Sequence, residues 1–156
     1  SAKKIKVSFS EKRDSDRLVS GDYVLIELVI SNLLNNAIKY GKNGGRVIIE
    51  SSEEKGAYFL SIMDDGIGIP KDDQSKIFKQ FFRSKSGSSY GVEGTGLGLS
   101  VVKEILDRLG GEIDFESPSR IGDDQFPGTE FKIRLNFGDE TLIPHKDDKV
   151  FMGREI

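Results

Sequence analysis

Asn32, Asn36 and Lys39 stand at i, i+4 and i+7 of an otherwise almost wholly apolar segment, so on a helix they share one face. Buried without partners, such groups cost on the order of 1–3 kcal/mol each. They therefore bond to protein groups or face a polar ligand. Taken alone, a stripe of this kind is more often a solvated face, as neighbouring Asn35 is expected to be. Asp64-Asp65-Gly66-Ile67-Gly68-Ile69 follows a strand-like run. A carboxylate at a strand end can accept from an exocyclic amine, and glycines let the backbone pass close to a flat ring. In isolation the same residues read as a tight turn. Gly94-Thr95-Gly96-Leu97-Gly98-Leu99-Ser100 directly precedes a helical pattern, where backbone amides and a helix N-terminus can point at phosphate; the alternative is a glycine hinge. Arg83 closes the aromatic stretch Ile77-Phe78-Lys79-Gln80-Phe81-Phe82, and a guanidinium there can reach a terminal phosphate.

Three familiar sites are excluded. The segment at Asp64 lacks the alternating oxygen ligands and closing Glu of a calcium loop. The glycines at 94–98 are not followed by Gly-Lys-Ser/Thr, so they form no Walker loop. They also follow a long polar stretch rather than a strand, and the third glycine comes one residue too early for a dinucleotide fingerprint.

The elements that must position these groups are legible from periodicity. Ile5, Val7 and Phe9 alternate, which predicts a half-buried strand over residues 4–10. Asp22 is placed to cap a densely apolar helix running to Tyr40 and stopping at Gly41. RVIIE and residues 57–63 predict two strands joined by the EEKG turn. Pro70 opens a short polar and then aromatic stretch, and residues 84–96 form a Ser/Gly-rich loop. A second helix carries Val101, Val102, Ile105, Leu106 and Leu109 and ends at Gly110-Gly111. Two further strands, at GEIDFES and TEFKIRLNF, flank a polar loop over residues 118–128. The predicted fold class is α/β: a two-layer sandwich with a mixed, mostly antiparallel sheet of about five strands and about three helices on one face.

With 156 residues the chain fits one domain, here taken as 1–138 with 139–156 as an unassigned tail. A hydrophobic share of 36% beside 31% charged residues is a globular balance, and the net charge of −3 argues against general nucleic-acid binding. The chain has no cysteine, hence no disulfide framework or thiolate metal site. No signal-peptide or membrane-length apolar run is present, which fits a cytoplasmic location, with a parent protein that could still be membrane-anchored.

In order, NLLNNAIKY, DDGIGIP, IFKQFFR and GTGLGLS resemble the N, G1, F and G2 boxes of sensor histidine kinases. These belong to the ATP-binding superfamily that also holds DNA gyrase, a heat-shock chaperone and a mismatch-repair ATPase. The resemblance spans roughly residues 3–137. It implies ATP and Mg²⁺ as cofactors, with Asn36 on the metal, Asn32 at the phosphate end, Lys39 on phosphate and Tyr40 against the adenine. Asp64 would accept from the adenine amine, assisted by Thr129, with Gly66 and Gly68 flanking the base and Ile69 beside them. Gly94, Thr95, Gly96, Leu97, Gly98 and Leu99 would form a lid over the phosphates, Arg83 would approach the γ-phosphate, and Phe81 and Phe82 would anchor the lid or meet a partner domain.

The family's hydrolases carry a glutamate where this chain has Asn32, and an amide is no general base. The resemblance therefore implies a protein-histidine kinase catalytic domain that donates its γ-phosphoryl group to a histidine on a separate helical dimerisation domain, with a response regulator served indirectly. His145, the single histidine, lacks a helical context beside an acid and is expected to be an ordinary tail residue. The chain then reads as a monomeric fragment of a longer kinase. The rivals are a serine kinase of the same superfamily and a nucleotide-binding docking module without transfer activity.

Overall fold

The computed structural model describes residues 3–12, 19, 21–84 and 98–138. The predicted loop residues 85–96 and the tail over 139–156 lie outside the described residues. The elements in chain order are β1 (Lys6–Lys12), α1 (Tyr23–Tyr40), β2 (Arg46–Glu54), β3 (Ala57–Asp64), α2 (Lys71–Gln74), α3 (Gly98–Arg108), β4 (Glu112–Glu116) and β5 (Glu130–Asn136).

The two long helices begin and end for local reasons. Asp22 Oδ1 accepts from the amides of Val24 (2.8 Å) and Leu25 (3.3 Å), satisfying two of the donors that a helix start leaves open. At the other end of α1, Lys3 Nζ donates to the carbonyls of Lys39 (2.5 Å) and Gly41 (2.8 Å), a cation at the negative end of the helix dipole. Helix α3 closes in a Schellman motif: Gly111 N–H donates to Leu106 O at 2.8 Å, Gly110 N–H donates to Asp107 O at 3.3 Å, and Gly110 takes φ +68°.

The strands form one sheet in the order β1-β2-β3-β5-β4. β1 runs parallel to β2 and every other pair is antiparallel. The register puts Leu60 beside Ser51 and Ile133, and Ile62 beside Ile49 and Phe131, on one face. The helices cover that face: Val29, Leu33 and Ala37 of α1 and Val102, Ile105 and Leu106 of α3 close one core with Val47, Leu60, Ile62, Phe131, Ile133 and Leu135. This is the expected two-layer sandwich.

β1 departs from expectation. It runs from Lys6 to Lys12 and is exposed throughout, with Val7 at 51% and Phe9 at 61% exposure, rather than half-buried. Both residues pair with core-side positions, Val47 and Ile49, but the main helix contacts with the sheet fall on β3 and β4 rather than on this edge strand. Among the described residues, no helix is long and apolar enough to cross a membrane.

Candidate active site

Where β3 ends and β5 begins, the sheet, both long helices and two loops converge on a cleft enclosing about 580 Å³ of atom-free space, open mouth included. α1 contributes Asn36 and Tyr40, one turn apart, and β3 contributes Asp64 from the end of its helix-facing row. The following loop supplies Ile67, Gly68 and Ile69, and the aromatic stretch supplies Ile77, Phe82, Arg83 and Ser84. Leu99 comes from the first turn of α3, and Thr129 and Phe131 from the start of β5. The lining is mainly apolar, with a few polar groups at fixed points, as expected of a site for a flat organic ring with a polar edge.

Asp64 is the strongest electrostatic feature. It is 5% exposed and has no cationic partner among the described residues. Its Oδ1 accepts from the amides of Gly66 (2.9 Å) and Thr129 (3.2 Å), and among the described residues no bond falls on Oδ2. Burial pushes its carboxyl up to about 6; the two amide bonds pull the other way and neighbouring Asp65 adds a smaller upward push. A desolvated acceptor with one oxygen already spoken for by the backbone is well placed to select a donor on a ligand.

The loop after Asp64 is held by long-range contacts. Gly66 could not be any other residue: a Cβ there would stand 2.2 Å from Tyr40 O, at the end of α1. The Ile67 amide donates to that carbonyl at 3.1 Å, and the Gly128 amide donates to Gly66 O at 3.0 Å. Gly68 takes φ +70°. Ser119 Oγ donates to Asp64 O at 2.7 Å. Ser117 Oγ accepts from the Ile69 amide at 2.9 Å.

Of the residues singled out in the sequence, Asn36, Tyr40, Asp64, Gly68, Ile69, Arg83, Leu99 and Thr129 line the cleft together. Gly66 supports it from behind. Asn32 stands beside it: its Nδ2 donates to Leu28 O at 2.7 Å, and a Cβ on Gly98 would meet its Oδ1 at 3.0 Å. Lys39 makes no ion pair among the described residues and sits 6.0 Å from the Tyr40 ring centroid. Phe82 lines the cleft, whereas Phe81 is 70% exposed at φ +61°. Gly94, Thr95, Gly96 and Leu97 lie outside the described residues. Sequence reasoning missed Ile67, Ile77, Ser84 and Phe131 as lining residues and Ser117, Ser119 and Gln74 as supports. Phe131 was legible as a core-facing strand residue; nothing in the polar loop marked its two serines.

Among the described residues no three His, Cys, Asp or Glu side chains cluster as a metal cage. The donor set suits instead a hard cation that brings its own oxygen ligands. Asn36, which makes no side-chain hydrogen bond among the described residues, offers an amide oxygen of the kind Mg²⁺ takes beside phosphate and water.

A family model described as histidine kinase-, DNA gyrase B-, and HSP90-like ATPase matches residues 21–139, and the chain belongs to that family. Its relatives are sensor histidine kinases. Sensor histidine kinase Hik2 of Synechocystis sp. is 36% identical over 132 residues, 80% of this chain. The mycobacterial sensor histidine kinase MprB has a solved structure that superposes with a TM-score of 0.72 at 32% identity, covering 84% of each chain. The histidine kinase ThkA, solved in complex with response regulator protein TrrA, gives a TM-score of 0.60 at 27% identity, covering 83% of this chain and 34% of that one. The chain spans 30% of the length of Hik2 and 17% of two other curated relatives.

Proposed function

We propose that the cleft binds ATP with Mg²⁺ and that the chain donates the γ-phosphoryl group to a histidine on a separate helical dimerisation domain. One observation carries the nucleotide reading: Asp64 is a buried carboxylate without a cation among the described residues, its Oδ1 taken by two amides, in an aliphatic and aromatic cleft. Its second oxygen would accept from the adenine amine, Tyr40 would pack on the base, Thr129 would assist at its edge, and Ile67 and Ile69 would form the wall.

The phosphate end would lie toward α3. Asn36 would hold the Mg²⁺, which would supply positive charge to neutralise the phosphates. Asn32, Lys39 and Arg83 would steady that end, and the segment at Gly94–Leu99 would cover it. With an amide rather than a carboxylate at position 32, no base stands one turn before Asn36 to activate water. The phosphoryl group would then be kept for the acceptor. The imidazole nitrogen forms the P–N bond as the bond from the γ-phosphorus to ADP breaks, and alignment comes from docking. Residues 1–138 would form the catalytic domain, acting in the cytoplasm, with a response regulator as the downstream partner.

The deciding experiment is a calorimetric titration with a non-hydrolysable ATP analogue, with and without Mg²⁺, followed by phosphoryl transfer from ATP to an added acceptor-helix domain. Mg²⁺-assisted binding that Asp64→Asn weakens about 100-fold, with label appearing on the acceptor histidine, supports the reading. Binding without transfer would leave a nucleotide-dependent docking module, and absence of binding in every condition would remove the proposal.

A further inference from the structure

Ile67 sits between Gly66 and Gly68, and Gly68, at φ +70°, joins it to Ile69, so the wall these two residues form has little stiffness of its own. Its alignment with Asp64 has to come from elsewhere. Among the described residues the side chains that bond the backbone of residues 66–69 are Asp64 itself, Ser117 and Gln74. The Ile69 amide donates to Ser117 Oγ at 2.9 Å, and that hydroxyl donates onward to Gly128 O at 2.7 Å. Gln74 Nε2 donates to Ile69 O at 3.1 Å and to Ser117 O at 3.3 Å. Gly128 N–H in turn bonds Gly66 O, and the next amide, that of Thr129, bonds Asp64 Oδ1.

These bonds form a closed frame, Asp64–Thr129–Gly128–Ser117–Ile69, and one hydroxyl links its two sides. Ser117 is not among the residues that line the cleft. We propose that Ser117, seconded by Gln74, is the positioning residue that sets the spacing between the Asp64 acceptor and the Ile69 wall. It thereby sets nucleotide affinity without touching the nucleotide. Alanine at 117 leaves the Ile69 amide and the Gly128 carbonyl without their bridge, and the Ile69 end of the wall separates from the acceptor. This inference rests on the cleft being the adenine site.

The test is calorimetric titration of the intact chain with a non-hydrolysable ATP analogue and Mg²⁺, with thermal melts alongside. Ser117→Ala is expected to raise Kd about tenfold and Gln74→Ala about threefold, while Ser117→Thr, which keeps the hydroxyl, returns Kd to within about threefold of the parent. Ser117→Ala within about twofold of a parent that binds well overturns the inference and leaves the nucleotide reading standing; so does a Ser117→Thr chain as weak as Ser117→Ala. A parent chain that does not bind removes both. If Ser117→Ala fails to fold, Gln74→Ala decides: a folded Gln74→Ala chain with parental Kd overturns the frame.

Discussion

Asp64 and Asp65 are neighbours, 5% and 4% exposed, and they do opposite jobs. Asp65 is fully employed inside the protein. Its Oδ1 accepts from the Arg46 amide at 2.7 Å, and its Oδ2 lies 3.5 Å from the Arg46 guanidinium and 3.8 Å from Lys42. It ties the end of β3 to the start of β2. Asp64 has two amides and, among the described residues, no cation, so burial pushes its carboxyl up to about 6. The difference separates a carboxylate that stabilises the fold from one that the fold strains. Strain of that kind, kept beside a cleft, is characteristic of a functional group.

The largest way to break the comparison is to displace both carboxylates together. Gly66→Ala sets a methyl against the Tyr40 carbonyl at the junction of α1 and the loop, where backbone meets backbone. It should destabilise the chain by about 3 kcal/mol or more and abolish analogue binding, as read by chemical denaturation and titration.

Asp64→Asn should weaken nucleotide binding and yet stabilise the protein. A carboxyl whose folded pKa lies near 6, against 3.8 for the free group, lowers stability as pH rises from about 4 through 6, because the unfolded chain gives up its proton first. Above pH 6 the asparagine variant should therefore gain on the order of 2–3 kcal/mol, a gain that disappears near pH 4. A variant that is less stable at pH 7 would mean that the carboxylate is not strained. Asp65→Asn should show the reverse: loss of about 1–3 kcal/mol at neutral pH as its partners lose their anion, with affinity changing little in a folded sample.

pH sharpens the comparison without mutation. Analogue affinity should fall as pH drops through about 6, as Asp64 takes up a proton and its second oxygen turns from acceptor to donor. An affinity flat from pH 7.5 to 5 would take Asp64 out of recognition. The smallest effect is expected of Lys42→Met, below about 1 kcal/mol, because the more distant of the two cations leaves Asp65 its Arg46 bonds.

Much of this was legible from the sequence because it depends on local rules. The cap at Asp22, the helix to Tyr40, the alternation that puts Phe131, Ile133 and Leu135 on one face, and the stop at Gly110-Gly111 follow from backbone geometry within a few residues. So does the grouping of Asn32, Asn36 and Lys39 on one side of α1. Motif order added the resemblance, and the cleft gathers nine of the eighteen residues it pointed to.

Tertiary structure decided what depends on residues far apart in the chain. Nothing local says that Gly66 faces the carbonyl of Tyr40, that Ser119 reaches the Asp64 carbonyl 55 residues away, or that Ser117 reaches Ile69 across 48 residues. Those pairings are set by strand order and register, which bring β5 beside β3 and fold the loop before β5 against the end of β3. The same holds for the exposure of Val7 and Phe9: alternation gave their side of the sheet, but helix placement left that side uncovered. It holds most of all for Asp64 and Asp65. They are identical and adjacent in sequence, and only the cations within reach of one and the amides within reach of the other make them different.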